Sequence, residues 1–310
     1  MVNFKQIEKI LGGKVKDIIW GLDAVIVLAS VIVFIMVVMK VKVFQYTVSA
    51  GRFCLFGIIG IVAMFCDTIG IGSFATSMAM IKATKSMSDE DMPGYLNLMQ
   101  ILPNGLEAVL FLSVVTVDLK TFFSLVIACI IGGYISGRLV EFLPVQKIRV
   151  AMVAALILVA ILLLLTQLHI VPNNGIASGL LGWKLIVGII CFFFLGALPA
   201  IGVGGYAAMQ VILFLLGMNP LVVFPIMTTS GAMQQAATTI SFLKHKRLLV
   251  REAIIAGLFG CIGVVAAFFM IKMFSGSDLH WLLLIVILFN IYMIGKSYLR
   301  SKREQFLFKH

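Results

Sequence analysis

Charge is what this sequence holds least of. Asp, Glu, Lys and Arg make up 12% of it, against about a quarter in a soluble domain. That is too little to clothe a water-facing surface, and a soluble globular fold is excluded. The apolar runs also lack period-2 alternation, which excludes an outer-membrane barrel. Cysteine is sparse. Cys54, Cys66, Cys129, Cys191 and Cys261 form no C-x-x-C, and no histidine stands at ligand spacing to any of them. They read as small buried hydrophobes, not as disulfides or a metal site. His169, His245, His280 and His310 fall at the edges of apolar runs or in the tail. There is no G-x-S-x-G, no H-E-x-x-H and no G-x-x-x-x-G-K-[ST]. No catalytic group, metal or cofactor is expected, and any work done must draw on a gradient or a partner.

What the chain does hold is apolar length. It is 62% hydrophobic, with a mean hydropathy of +1.14. Runs of that kind, with few charges, are membrane helices. The formal net charge of +11 comes from basic residues in short loops and the C-terminal tail. There it serves as an orientation signal and meets anionic lipid headgroups; no nucleic-acid partner is implied. The reading is therefore an all-α polytopic protein of the plasma (inner) membrane, with the bilayer as its standing partner.

In order, residues 1–17 form an amphipathic segment and 18–39 a first, extra span, which reads as retained and not as a cleaved signal. A first repeat covers 53–168 and a second 183–300. A basic tail, 301–310, follows. Within the first repeat, Phe53 to Cys66 is expected to be a half-length helix and Phe74 to about Lys82 another. Residues 86–100 are expected at the surface. Asn104 to Val117 is a span opened by an Asn-x-x-Glu capping box, Asn104 to Glu107. Asp118 caps the next span, and a further one covers 150–168. In the second repeat the arms are 183–198 and 206–217. Asn219-Pro220 starts a helix to Leu243, and two more spans follow.

The chain is organised around a break that occurs twice. Asp67-Thr68-Ile69-Gly70-Ile71-Gly72-Ser73-Phe74 interrupts one apolar stretch. Pro199-Ala200-Ile201-Gly202-Val203-Gly204-Gly205-Tyr206 interrupts another. Gly72 and Gly204 lie 132 positions apart (204 − 72), as do Gly70 and Gly202. Gly/Pro-interrupted apolar segments at matching places in two halves point to a transporter's binding site. Basic loops place 138–149, 244–251 and the C-terminus in the cytoplasm and 169–182 outside. The unit 183–217 must then enter and leave on one side, as a re-entrant hairpin. The same count makes 53–82 a hairpin entered from the cytoplasm. The halves become inverted repeats, each a hairpin plus three transmembrane helices. This puts the N-terminus outside despite Lys5, Lys9, Lys14 and Lys16. A crossing at the first break would put it inside, at the expense of the symmetry.

Backbone N–H groups at helix starts attract anions, and glycine lets a ligand approach the backbone. Two such breaks form an anion cradle without an arginine. The residues expected to line it are Thr68, Gly70, Gly72, Ser73, Asn104, Gly202, Gly204, Gly205, Tyr206, Thr228, Thr229, Ser230 and Gln234, with Gln235 beside them. Small and hydroxyl residues also serve simply to pack membrane helices. Asp67 and Glu107 are intramembrane acids, which are expensive and usually functional. Either is a candidate carrier of a coupled proton. The bland alternatives are helix capping for Glu107 and a cap on the loop amides for Asp67.

At the breaks, Gly70-Ile71-Gly72-Ser73-Phe74 and Gly202-Val203-Gly204-Gly205-Tyr206, the sequence resembles the TauE/SafE-type sulfite exporter family, also called the toluene sulfonate uptake permeases. The helix after the second break, with Thr228-Thr229-Ser230-Gly231, fits the same pattern. The resemblance covers about 53–300. It implies a secondary transporter of small sulfur-containing anions such as sulfite or sulfonates. A cation-coupled carrier of another solute, with protons or sodium as partner, and a non-transporting scaffold stand as the alternatives. A homodimer is compatible with all three.

Overall fold

The computed structural model describes residues 13–40, 48–69, 71–89, 91–112, 117–140, 142, 144–168, 170, 175–242 and 250–270, with Leu288 and Tyr292 beyond them. The expected amphipathic segment in its first twelve residues, Gly70, the 244–249 basic loop, most of the last span and the 301–310 tail lie outside the described residues.

The described residues are helical, and no strand occurs among them. The helices are α1 (Gly13–Lys40), α2 (Ala50–Thr68), α3 (Ser73–Thr84), α4 (Met92–Leu112), α5 (Leu119–Val140), α6 (Val145–Gln167), α7 (Trp183–Ala197), α8 (Tyr206–Leu215), α9 (Pro220–Phe242) and α10 (Val250–Met270). A 3-10 turn, Leu198–Ile201, extends α7. Among the described residues, four helices are long and apolar enough to cross a membrane: α2, α5, α7 with its turn, and α10. Each turns isoleucine, leucine, valine or phenylalanine outward, for example Ile58, Ile131, Ile190 and Ile262. Such a face suits lipid and not water.

Contacts fix the directions. Arg52 pairs with Glu252 at 2.9 Å, Gly60 lies on Ala256 and Gly263 on Ile61, so α2 and α10 are parallel. Gly257 lies on Met99 and Gly260 on Pro103, so α4 runs with them. On the other side Gly188 meets Leu125 and Gly196 meets Cys129, which makes α7 parallel to α5. Gly133 meets Gln234 and Gly137 meets Ser241, which adds α9 to that set. The two sets are opposed, because Asn104 bonds Gln235 while Phe111 stacks on Phe224. Hence α2 and α7 run in opposite directions. Their packing is also matched. A Cβ on Gly60 would sit 2.0 Å from the Ala256 carbonyl oxygen, and one on Gly132 1.9 Å from that of Phe193. Both pairs close backbone on backbone, the usual role of glycine between membrane helices.

Each break turns the chain back. Lys184 Nζ donates to the Leu216 carbonyl at 3.0 Å, and Ala177 pairs with Gly217 and Asn219. The end of α8 thus lies beside the start of α7. On the first side Lys82 pairs with Asp89 in the loop entering α4. Tyr95, one turn into α4, packs on Phe56 near the start of α2. So α3 also ends where its hairpin began.

Two expectations need correction. The first arms are not half-length: α2 and α7 with its turn each reach 19 residues, about 28 Å at 1.5 Å per residue. Polar ends hid this. Ser49 accepts from the Arg52 amide and caps α2 at its start, while Asp67 and Thr68 are still helical. Only the returning arms, 12 and 10 residues, are too short to cross. The second correction concerns 86–100. Helix α4 begins at Met92, and every residue from Met92 to Ile101 is buried. Asn97 and Gln100 look amphipathic in sequence, but they face the protein interior. The Asn104–Glu107 capping box therefore does not exist, since both residues lie in mid-helix. Asp118 does cap its helix: the Thr121 amide donates to it at 2.8 Å and the Thr121 hydroxyl at 2.7 Å. Those bonds hold its carboxyl below the usual range.

Candidate functional site

At the first tip α2 ends at Thr68, the Ile71 amide bonds back to the Cys66 carbonyl, and Gly72 opens α3 at φ +90°. That left-handed conformation suits glycine alone. Asp67 reaches across the break: its Oδ1 accepts from the Ser73 amide at 2.6 Å. The expected cap on the loop amides is thus in place. At the second tip Pro199 lies in the first positions of the 3-10 turn, and Gly202 takes the left-handed conformation at φ +83°. Residues 203–205 then lead into α8, and no side chain caps its start.

The two tips meet. A Cβ on Gly204 would lie 3.0 Å from Cβ of Phe74. Around that contact Asp67, Gly72, Ser73, Gln100, Asn104, Gly202, Gly204, Gly205, Tyr206, Gln234 and Gln235 line one pocket. Its walls are completed by Ile71, Phe74, Ala75, Met78, Pro199, Val203, Met209, Met227 and Gly231. The free space is about 50 Å³. At ~10–15 Å³ per water centre, it takes a few waters or one small polyatomic ion. Among the described residues no lysine, arginine or histidine lines it.

Helix α4 supplies a polar stripe at helical spacing: Asn97, Gln100, Asn104 and Glu107. Asn97 Nδ2 donates to the Pro199 carbonyl at 2.7 Å and so holds the second tip. Glu107 Oε1 accepts from the Tyr206 hydroxyl at 3.1 Å and holds the same tip again. Asn104 donates to Gln235 Oε1 and Gln235 to Gln100 Oε1, both at 2.8 Å. All these groups are buried, yet Asp67 Oδ2, Gln100 Nε2, Asn104 Oδ1 and Glu107 Oε2 lack a hydrogen-bond partner among the described residues. An unpaired buried polar atom costs roughly 1–3 kcal/mol, so the three that belong to lining residues, on Asp67, Gln100 and Asn104, point to a ligand or water site.

Of the expected residues, Asp67, Gly72, Ser73, Asn104, Gly202, Gly204, Gly205, Tyr206 and Gln234 line the pocket. Glu107 stands behind Tyr206 rather than in the wall. Thr68 bonds back to the Met64 carbonyl, and Thr228 to those of Phe224 and Pro225. Both lie outside the lining, and the bland packing role fits them better; Thr229 and Ser230 also lie outside it, but their buried hydroxyls have no hydrogen-bond partner among the described residues. Asn97 and Gln100 were not expected. The signal was the i, i+3, i+7, i+10 spacing of 97, 100, 104 and 107, which puts all four on one helix face. No group of three or more His, Cys, Asp or Glu able to hold a metal occurs among the described residues. Comparison of the chain with protein-family models, with curated proteins and with solved structures finds no match.

Proposed function

We propose that the chain is a secondary transporter of a small anion, with sulfur-containing anions as the substrate class suggested by the resemblance at its two breaks. One observation carries this reading. An uncapped helix start and its glycine-rich approach, Gly202 to Tyr206, meet a second hairpin tip in one pocket whose mainly apolar walls hold a few polar side chains. The positive end of a helix attracts anions without a fixed charge, so the site can release what it holds. In hydrocarbon such irregular backbone is tolerated only against protein or a wet cavity.

The two halves act as inverted repeats around this site. In support, shifting the helix bounds of α2, α3 and α5 by 132 positions lands within one or two residues of α7 with its turn, α8 and α10. The partners are exchanged as well: α2 lies on α10 as α7 lies on α5. Alternating access is the rocking of one repeat against the other about the tips. Asp67 and Glu107 are the proton carriers of the cycle, in the plasma membrane with the C-terminus cytoplasmic.

Flux tests it. In proteoliposomes the protein is expected to move labelled sulfite or a sulfonate down its gradient, and an imposed proton gradient is expected to drive uphill uptake. The second reading, a sodium-coupled carrier, is favoured by the same two acids. A strict sodium requirement with proton independence would establish it instead.

A further inference from the structure

The pocket lining carries two chemically different kinds of group, and this says more about the ligand than its charge. One is the uncapped start of α8, a set of donors. The other is Asp67 Oδ2, a buried acceptor with no hydrogen-bond partner among the described residues. Beside them Asn104 bonds Gln235 and Gln235 bonds Gln100 in a chain of three amides, and a longer contact of 3.4 Å joins Asn104 to Gln100. Such a chain is directional. Its ends here are a free Asn104 oxygen and a free Gln100 nitrogen. Reversing all three amides exchanges the two ends but still leaves one donor and one acceptor, so the result does not depend on how the amide oxygens and nitrogens are assigned. A fully ionised oxyanion has only acceptors. With Asp67 ionised, it would satisfy the α8 amides and the free NH₂ but leave Asp67 Oδ2 and the amide oxygen unpaired, with no cation among the described lining residues to offset the carboxylate.

We propose that the pocket selects small oxyanions that carry a hydrogen-bond donor of their own, with oxygens toward the start of α8 and a hydroxyl or amine toward Asp67. The inference rests on the anion reading above and specifies its substrate. A free space of about 50 Å³ restricts the ligand to a small anion.

The test uses matched pairs differing by one donor: ethanesulfonate against 2-hydroxyethanesulfonate, and acetate against glycolate. Affinities for the purified full chain are read by ligand-induced thermal stabilisation. A site built to bond a hydroxyl rejects the analogue that lacks it, so the hydroxylated member is expected to bind at least about tenfold tighter in both pairs. In Asp67→Ala and in Gln100→Ala that ratio falls toward one. Because the ratio is taken within one protein, partial misfolding of a variant does not change it, and the wild-type ratio stands if Asp67→Ala fails to fold. Equal binding within each pair overturns the inference and leaves the anion reading intact. A ratio that persists in both variants overturns the assignment of these groups. Failure of all four to bind removes the anion reading itself, and the inference with it.

Discussion

The two hairpin tips occupy equivalent places and are built differently. Where the first has Asp67, the second, 132 positions on, has Pro199. Asp67 caps the returning helix of its own hairpin; Pro199 cannot, and the start of α8 stays uncapped. The first tip is closed by its own carboxylate. The second is instead tied to α4 from outside, by Asn97 at the Pro199 carbonyl and Glu107 at Tyr206. One tip thus brings an acid to the pocket and the other brings open amides. Two copies of the first would repel an anion, and two copies of the second would bring no carboxylate to the pocket. Under the proposed function, this asymmetry is what would let one pocket bind an anion and exchange a proton.

The largest effect is expected at the contact between the tips. Gly204→Val places carbon against Phe74, already at 3.0 Å from a Cβ, and fills the pocket. Transport falls to background in proteoliposomes while helical content and membrane insertion persist. Normal flux would mean that the ligand passes elsewhere. Next comes the first tip. Asp67→Ala removes a helix cap, which costs about 0.5–2 kcal/mol, and with it the acid. A lower melting temperature is expected, together with anion transport that no longer responds to a proton gradient. Retained coupling would shift that role to Glu107. The smallest effect on transport is at the tie of the second tip. Tyr206→Phe deletes the hydroxyl bonded to Glu107 and leaves its carboxyl oxygen unpaired, at roughly 1–3 kcal/mol of stability. Chemical denaturation of the variant measures this loss. A loss of that size with affinity for anions changed only a few-fold keeps the tie structural; a large loss of affinity would make Tyr206 part of the binding site.

Much of this architecture was legible in the sequence, and the reasons are physical. Low charge and long apolar runs fix a helical membrane protein, because lipid offers the backbone no other partner. The breaks were visible because two glycines recur at one offset, and structure finds Gly72 and Gly202 at positive φ. Helix ends were less legible. Arg52 reads as a loop residue until its partner Glu252, 200 positions away, is seen beside it. The same failure hid α4. Asn97 and Gln100 look like a surface face when water is the assumed solvent; opposite them stand Pro199 and Gln235, from the other half of the chain. A polar stripe reports that a helix face is wet or paired, and sequence does not say which. Thr228 shows the opposite ambiguity, since a hydroxyl satisfied by its own helix carbonyls looks the same in sequence as one that meets a ligand.

The central claim is that the joined tips bind an anion. The most direct measurement is the thermal stability of the purified protein against sulfite, thiosulfate, sulfate, sulfonates, acetate and phosphate. A ligand that binds only the folded state stabilises it by about 2.7 kcal/mol at a hundred times its dissociation constant. The account predicts stabilisation by sulfur oxyanions or sulfonates, and its loss in Gly204→Val. No response to any anion, with a clear response to sodium or an amine, would contradict it and make Asp67 and Glu107 the binding site instead.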